Sequence, residues 1–137
     1  MRYVMTWESV FTVSYFFDLP RRGVANFGGK PHAYQSEFSV TNDEYSDRFL
    51  LMEIDPELFR LVLEDWAIWL RWLAAYQRGA VSIDSHPALP EDLVRHHQIE
   101  QLIGNRLHVE PTNCFAKRAE FRHATEGWEV QRYDVAT

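Results

Sequence analysis

Residues 55–79 constrain the fold more than any other part of the chain, because they predict one long helix that is apolar around most of its circumference. Asp55 is a good N-cap, Pro56 suits the first helical position, and Gly79 is a natural residue just beyond the helix end. At about 100° per residue, the charged positions form one narrow stripe, made of Arg60, Glu64, Arg71 and Arg78. A helix with so little polar surface is buried on most sides, so we expect it to be the hub of the core.

Asp65 interrupts the apolar part of this helix. A buried carboxylate without a partner costs much free energy, so it needs a cation, hydrogen-bond donors or a pocket open to water. One interpretation is a structural pair with Arg21, Arg22 or His32, or with an indole N–H. The other is a pocket in which the carboxylate faces a polar or cationic ligand group between aromatic walls. The walls in that case are Trp69, Trp72 and Tyr76. The candidates for ligand binding are therefore Asp65, these three aromatic residues, and Arg21, Arg22 and His32.

The other segments predict strands on both sides of the helices. Four strands are expected at residues 9–17, 24–27, 31–40 and 48–54, and two more at 113–124 and 128–135. Gly28–Gly29 indicates a hairpin turn, and residues 18–23 predict a loop because of Pro20 and Gly23. A second helix is expected from Pro90 to Gly104–Asn105.

This order of elements predicts one α+β domain over residues 1–137 with a largely antiparallel sheet. The expected parts are a four-strand N-terminal meander, the long Trp-rich helix, the second helix and a C-terminal β-hairpin. The long helix is expected to lie across one face of the sheet.

The charge balance bears on the kind of partner. Asp and Glu total 20 against 14 Lys and Arg, a net charge of −6, which disfavours binding to a nucleic-acid backbone. No apolar stretch reaches the length of a membrane span, and the first eight residues do not resemble a signal peptide. With Cys114 as the one cysteine, a reducing, cytoplasmic compartment is expected. Partners are then a protein or a small molecule, and the 15% aromatic content also suits a homodimer face.

Motifs for catalysis or cofactor binding are missing from the sequence. No HExxH pattern, phosphate-binding glycine loop or Gly-x-Ser-x-Gly elbow occurs. Asp92, His96 and Glu100 share one face of the second helix, a spacing that metal sites use but that solvated helix faces use more often. The sequence therefore predicts no metal and no cofactor, with Leu93, Ile99 and Ile103 on the buried side of this helix.

Two stretches resemble a family of small uncharacterised bacterial proteins. The first comprises Trp7–Val13, Tyr15–Asp18, Pro20–Arg21, Gly23–Ala25, Gly29 and Pro31–His32, and the second comprises Leu63–Trp69 and Arg71–Trp72. The resemblance covers residues 1–78. It implies a bacterial, cytoplasmic setting and carries over no activity and no site.

Three functions remain open. The first is an acidic binding or interaction module without catalysis. The second is a small enzyme that uses Asp65, together with His32, as acid and base in an aromatic-walled pocket. The third is a structural subunit whose surplus aromatic residues form a homo-oligomer face.

Overall fold

A computed structural model describes residues 6–135, which form two compact units. The barrel unit is the described part of residues 1–54 and 108–137, and the helical unit is residues 55–107. A single domain over residues 1–137 stays a prediction. The expectation about a signal peptide concerns residues 1–8, of which 1–5 lie outside the described residues.

Six antiparallel strands form a closed barrel in chain order. They are β1 (Glu8–Phe17), β2 (Leu19–Phe27), β3 (Lys30–Ser39), β4 (Glu44–Glu53), β5 (Phe115–His123) and β6 (Trp128–Tyr133). The barrel closes because β1 pairs with β6 as well as β2, with Glu8 opposite Val130 and Val10 opposite Trp128. The predicted α+β fold, with an open sheet and a separate C-terminal hairpin, is therefore wrong.

The physical reason for this error is that two strand pairings are non-local. β4 pairs with β5 through Leu51 and Phe115, although the whole helical unit separates them in sequence. Strand patterns identify elements and local hairpins, but they do not reveal which distant edges meet. Once both distant pairs form, no edge strand remains in the barrel.

The segment 18–23, predicted to be a loop, is mostly strand. Asp18 alone takes a left-handed turn conformation, with φ of 64°, and β2 begins at the next residue. Pro20 is compatible with the strand because the pairing of β2 with β3 begins only at Arg22, so its missing N–H leaves no gap in that ladder. The Gly28–Gly29 turn is confirmed, with φ of 60° and 78° between the paired Phe27 and Lys30.

Buried apolar side chains form the core of the barrel unit, and Tyr34 adds a buried hydrogen bond to it. The buried cluster is Ala25, Tyr34, Phe49, Leu51, Ala119 and Val130. The hydroxyl of Tyr34 donates a hydrogen bond to the carbonyl of Thr12 at 2.9 Å. A Cβ atom on Gly23 would lie 2.1 Å from that carbonyl oxygen, so only glycine fits there.

The helical unit contains α1 (Pro56–Gln77) and α2 (Leu93–Ile103). The predicted N-cap of α1 is confirmed, since Asp55 accepts a hydrogen bond from the Leu58 amide at 2.8 Å. Arg106, near the end of the unit, donates to the other carboxylate oxygen of Asp55 at 3.1 Å. The buried cluster of the unit is Leu61, Ile68, Ala88 and Ile99.

A smaller part of the surface of α1 is buried than its sequence predicts. Leu63, Leu70 and Tyr76 are exposed by 38%, 44% and 41%. The expectation of burial on most sides is therefore wrong for these three. Among residues 6–135, no helix combines the length and the apolar character that a membrane span requires.

Candidate functional site

A cleft of about 400 Å³ opens on the barrel unit. Its lining residues come from β1, β2, β3 and β4 and are Tyr15, Arg21, Arg22, Gln35, Ser36, Glu37, Phe38, Tyr45 and Leu50. A second cavity, of about 520 Å³, adjoins it through Tyr15, Arg21, Phe38 and Tyr45. We call the first cavity the arginine lobe and the second the acidic lobe.

Two arginines of β2 border the arginine lobe. Arg21 donates from Nε to the carbonyl of Phe17 at 2.9 Å, and its guanidinium carbon lies 5.1 Å from the ring centre of Tyr45. The guanidinium carbon of Arg22 lies 5.8 Å from the ring centre of Tyr15. Within the described part of the chain, neither guanidinium forms an ion pair. Both positive charges are therefore held over aromatic faces without being neutralised.

Aromatic side chains form the rest of the wall and remain open to solvent. Phe17 and Phe38 are exposed by 54% and 46%. Tyr45 packs edge-on against Phe38 with ring centres 4.9 Å apart. A hydrogen bond with Tyr15 raises the pKa of the Tyr45 hydroxyl above its ordinary value, against the lowering effect of the two arginines. The Tyr45 phenol therefore stays neutral and offers a hydrogen bond at neutral pH.

The acidic lobe carries the opposite charge. Its lining includes Asp18, Asp43 and Glu44, all exposed, together with Arg21. Asp43 takes a left-handed conformation, with φ of 53°, in the turn between β3 and β4. The continuous cleft is thus positive at Arg22 and negative at the β3–β4 turn.

The helical unit holds the anomalous aspartate. Leu61, Asp65 and Ile68 follow each other at i, i+4 and i+7, and we call them the apolar stripe of α1. The facing stripe of α2 is His96, Ile99 and Ile103. Asp65 Oδ1 lies 2.7 Å from His96 Nδ1, so its partner is a histidine that the sequence placed on a solvated face.

Charged pairs flank this contact on both sides. Arg71 makes a bidentate pair with Asp92, with distances of 2.9 and 3.0 Å. Arg95 pairs in the same way with Glu64, and this hydrogen bond lowers the pKa of the Glu64 carboxyl. Asp92 therefore pairs with α1 and does not join His96 and Glu100.

A cluster of possible metal ligands lies on α2 itself. His96 Nε2 is 3.3 Å from Glu100 Oε1, and His97 Nδ1 is 3.1 Å from the same oxygen. One ligand atom from each of the three residues lies within 4.8 Å of the others. His96 is buried, whereas His97 and Glu100 are exposed.

The predicted aromatic residues of α1 contact one another and the following loop. The indole N–H of Trp72 donates to Ser85 Oγ at 2.8 Å, and its ring stacks on Tyr76 with centres 5.1 Å apart. Trp69 packs against Trp66 at 4.7 Å. These contacts order the loop after α1.

His32 lies inside the barrel unit and is buried. Its Nδ1 is 2.8 Å from the carbonyl oxygen of Lys30, and its ring packs edge-on against Phe27 and Phe115. It does not line the arginine or acidic lobe. The seven predicted residues thus divide between the units: Arg21 and Arg22 border the cleft, His32 is buried away from it in the barrel unit, and the other four belong to α1.

Arg132 of β6 is a buried cation that the sequence did not reveal, because it resembled one member of a cross-strand charge pair. Its Nε and Nη1 atoms are buried and have no hydrogen-bond partner among residues 6–135. Burial lowers the pKa of this guanidinium to about 10, although the charge of Glu8 acts in the opposite direction. An unsatisfied buried cation destabilises the fold at neutral pH.

Sequence reasoning also missed Tyr15, Phe38 and Tyr45 as cleft residues. The alternation of β1 is broken by register shifts between Val13 and Tyr15 and between Tyr15 and Phe16. A further shift occurs between Ser36 and Phe38 in β3. Such bulges redirect side chains and have no reliable sequence signal.

Comparison of the chain with protein-family models, curated proteins and solved structures finds no match.

Proposed function

We propose that the barrel unit is a binding module for a small ligand that joins an anionic group to an aromatic body. The observation that carries this proposal is the pair Arg21 and Arg22, held over tyrosine rings without an ion-pair partner beside the cleft. Of the three functions open from the sequence, this is the binding module, with the ligand narrowed to a small molecule.

The charge of the arginine lobe supports an anion. Arg22 is exposed and uses its guanidinium for one aromatic contact, so its donors face the cleft or solvent. A guanidinium binds carboxylate or phosphate oxygens through two parallel hydrogen bonds. The nearby Glu37 is 3.5 Å from Arg48, which offsets its charge.

The aromatic walls support a planar body. Phe38 and Tyr45 pack edge to face against each other, and both line the two lobes. Burying an aromatic ring against such walls stabilises binding through apolar area and ring contacts. The volume of about 400 Å³ lies within the range of small-molecule sites.

The acidic lobe supports one orientation of the ligand. Asp18, Asp43 and Glu44 repel a second anionic group at that end of the cleft. The anion is therefore expected at Arg22 and the ring near Phe38. A ligand with anionic groups at both ends is expected to bind more weakly than one with a single anionic group.

The test is a titration of the ¹⁵N-labelled full chain with phenyl phosphate, phenol and inorganic phosphate in turn. Binding is measured by NMR from the changes in amide chemical shifts. We expect phenyl phosphate to shift amides of residues 15–22, 35–38 and 45 and to bind more tightly than either fragment. Losing one charge-assisted contact of about 1.5–3 kcal/mol means that Arg22→Gln weakens binding by roughly tenfold or more.

Arg122→Gln is the matched control, because Arg122 also lies over an aromatic ring, that of Trp7 at 4.1 Å, and does not line the cleft. This control is expected to bind phenyl phosphate as the wild type does. Binding that is unchanged by Arg22→Gln, or shifts that map outside the cleft, would contradict the proposal.

A further inference from the structure

We propose that His96, His97 and Glu100 of α2 form a binding site for a divalent transition-metal ion of the zinc type, with Asp65 of α1 as the group that orients His96. This site lies in the helical unit and rests on none of the observations made on the barrel.

The geometry of the ligand atoms supports the site. Zinc–nitrogen and zinc–oxygen bonds of about 2.0–2.2 Å in a tetrahedron place neighbouring ligand atoms about 3.3 Å apart. His96 Nε2 and His97 Nδ1 lie 3.3 and 3.1 Å from Glu100 Oε1. The helix produces this arrangement locally, because positions i, i+1 and i+4 place two imidazoles beside one carboxylate.

The two sides of the His96 ring give an independent reason for a cation. Nδ1 faces Asp65 Oδ1 at 2.7 Å, and Nε2 faces Glu100 Oε1 at 3.3 Å. Ionised carboxylates only accept hydrogen bonds, whereas a neutral imidazole has one N–H to donate. When the single N–H of a neutral His96 is donated to Asp65, Nε2 is left with a lone pair beside Glu100 Oε1. A metal ion can bind both of these atoms and join them.

Asp65 has the role that carboxylates take behind metal-bound histidines. Its hydrogen bond to Nδ1 fixes the ring orientation and leaves Nε2 for the metal. The packing of Leu61 and Ile68 against Ile99 holds the two helices around this contact. Asp65 is therefore a positioning residue and does not bind the ion.

The donor set selects the class of ion. Two imidazole nitrogens and one carboxylate suit zinc, nickel or cobalt, whereas magnesium and calcium prefer oxygen ligands. His97 and Glu100 are exposed, so water or a ligand group can complete the coordination. Three protein ligands with an open position are typical of reactive zinc sites.

The test uses the full chain without a histidine tag, treated with a chelator and titrated with ZnCl₂ by calorimetry and with CoCl₂ by visible absorption. We expect one ion per chain and the d–d absorption of four-coordinate cobalt. His97→Ala and Glu100→Gln alter exposed side chains and are each expected to weaken zinc binding by roughly tenfold or more, while Asp65→Asn weakens it by about 10–100-fold.

His108→Ala is the control, since this exposed histidine belongs to the barrel unit, and it is expected to leave zinc binding unchanged. Circular dichroism of each variant checks folding. Absence of one-to-one binding in the wild type would overturn the proposal. Binding that persists in both His97→Ala and Glu100→Gln would overturn it as well.

Discussion

Oδ1 of Asp65 lies 2.7 Å from Nδ1 of His96, so a carboxylate in the apolar stripe of α1 faces a histidine in the apolar stripe of α2. The side chain of His96 is 10% exposed and that of Asp65 is 30% exposed. The contact is thus partly shielded from water, which strengthens the hydrogen bond and makes the loss of one partner costly.

Asp65→Asn is expected to lower the free energy of unfolding by about 1–1.5 kcal/mol, because it replaces a charge-assisted hydrogen bond with a neutral one. Urea unfolding measures this, and a double-mutant cycle with His96→Ala isolates the coupling between the two side chains. Asp84→Asn, an exposed aspartate of the same unit, is the control. Equal stability of Asp65→Asn and wild type would contradict the pairing.

Arg132→Met is expected to raise the free energy of unfolding by about 1–3 kcal/mol, because it removes a buried charge whose Nε and Nη1 lack partners in the described part of the chain. Thermal and urea unfolding at pH 7 measure the change. Arg122→Met is the control on an exposed strand position; it removes the contacts with Trp7 and Glu129 and is expected to lower the free energy of unfolding by about 1 kcal/mol at most, opposite in sign to Arg132→Met. A destabilised Arg132→Met protein would mean that the guanidinium has partners in solution.

Tyr34→Phe is expected to make the free energy of unfolding fall less steeply as the pH rises above about 10. Burial raises the pKa of the Tyr34 hydroxyl well above its ordinary value of 10.0, so above that pH the unfolded chain releases a proton that the folded chain keeps. The contribution of Tyr34 is therefore complete below pH 10 and is lost as pH rises further. Urea unfolding at pH 8 to 11 is expected to show the wild type and Tyr34→Phe converging.

Arg132 changes the stability in the opposite direction over the same alkaline pH range. Burial lowers its pKa to about 10, so above that pH the unfolded chain binds more protons and the wild type gains stability from this group. Arg132→Met is therefore expected to lose stability more steeply than wild type above pH 10. Parallel alkaline curves for all three proteins would show that neither group is buried as described.

Gly23→Ala is expected to lower the free energy of unfolding by about 3 kcal/mol or more, because the new Cβ would overlap the Thr12 carbonyl oxygen at 2.1 Å. Glycine can be required because no side chain fits or because φ is positive, and Gly28→Ala tests the second reason alone. Gly28 has a φ of 60° but open space around it. Its expected loss is about 1 kcal/mol, from backbone conformation alone. Differential scanning calorimetry of both variants tests this order, and equal losses would contradict it.

The local features of the fold could be predicted from the sequence. The Asp55 cap and the Gly28–Gly29 turn each depend on a few neighbouring residues, and both are confirmed. Closure of the barrel could not be predicted in this way, because the β1–β6 and β4–β5 pairs join distant segments. The sequence predicts a loop at residues 18–23 because proline and glycine usually interrupt strands, whereas both residues lie within β2 in the structure.

The candidate sites were only partly predictable. The helical periodicity of α1 identified Asp65 as anomalous, and the partner was missed because His96 was grouped with Asp92 and Glu100 on a solvated face. Leu93, predicted to be buried, is 40% exposed, and His96 takes the interior position instead. Arg21 and Arg22 were recognised, but the tyrosines beneath them depend on register shifts that a period of two does not contain.

The ion pair between Arg106 and Asp55, at 3.1 Å, has a consequence for the order of folding. Pairing β4 with β5 closes a long loop, and the conformational entropy lost on closure grows with the length of flexible chain between the strands. Helices form within about a microsecond, faster than distant strands meet. If α1 and α2 fold first, the Arg106–Asp55 pair already holds the ends of the helical unit together. The flexible chain that must still close between β4 and β5 is then little more than residues 107–114.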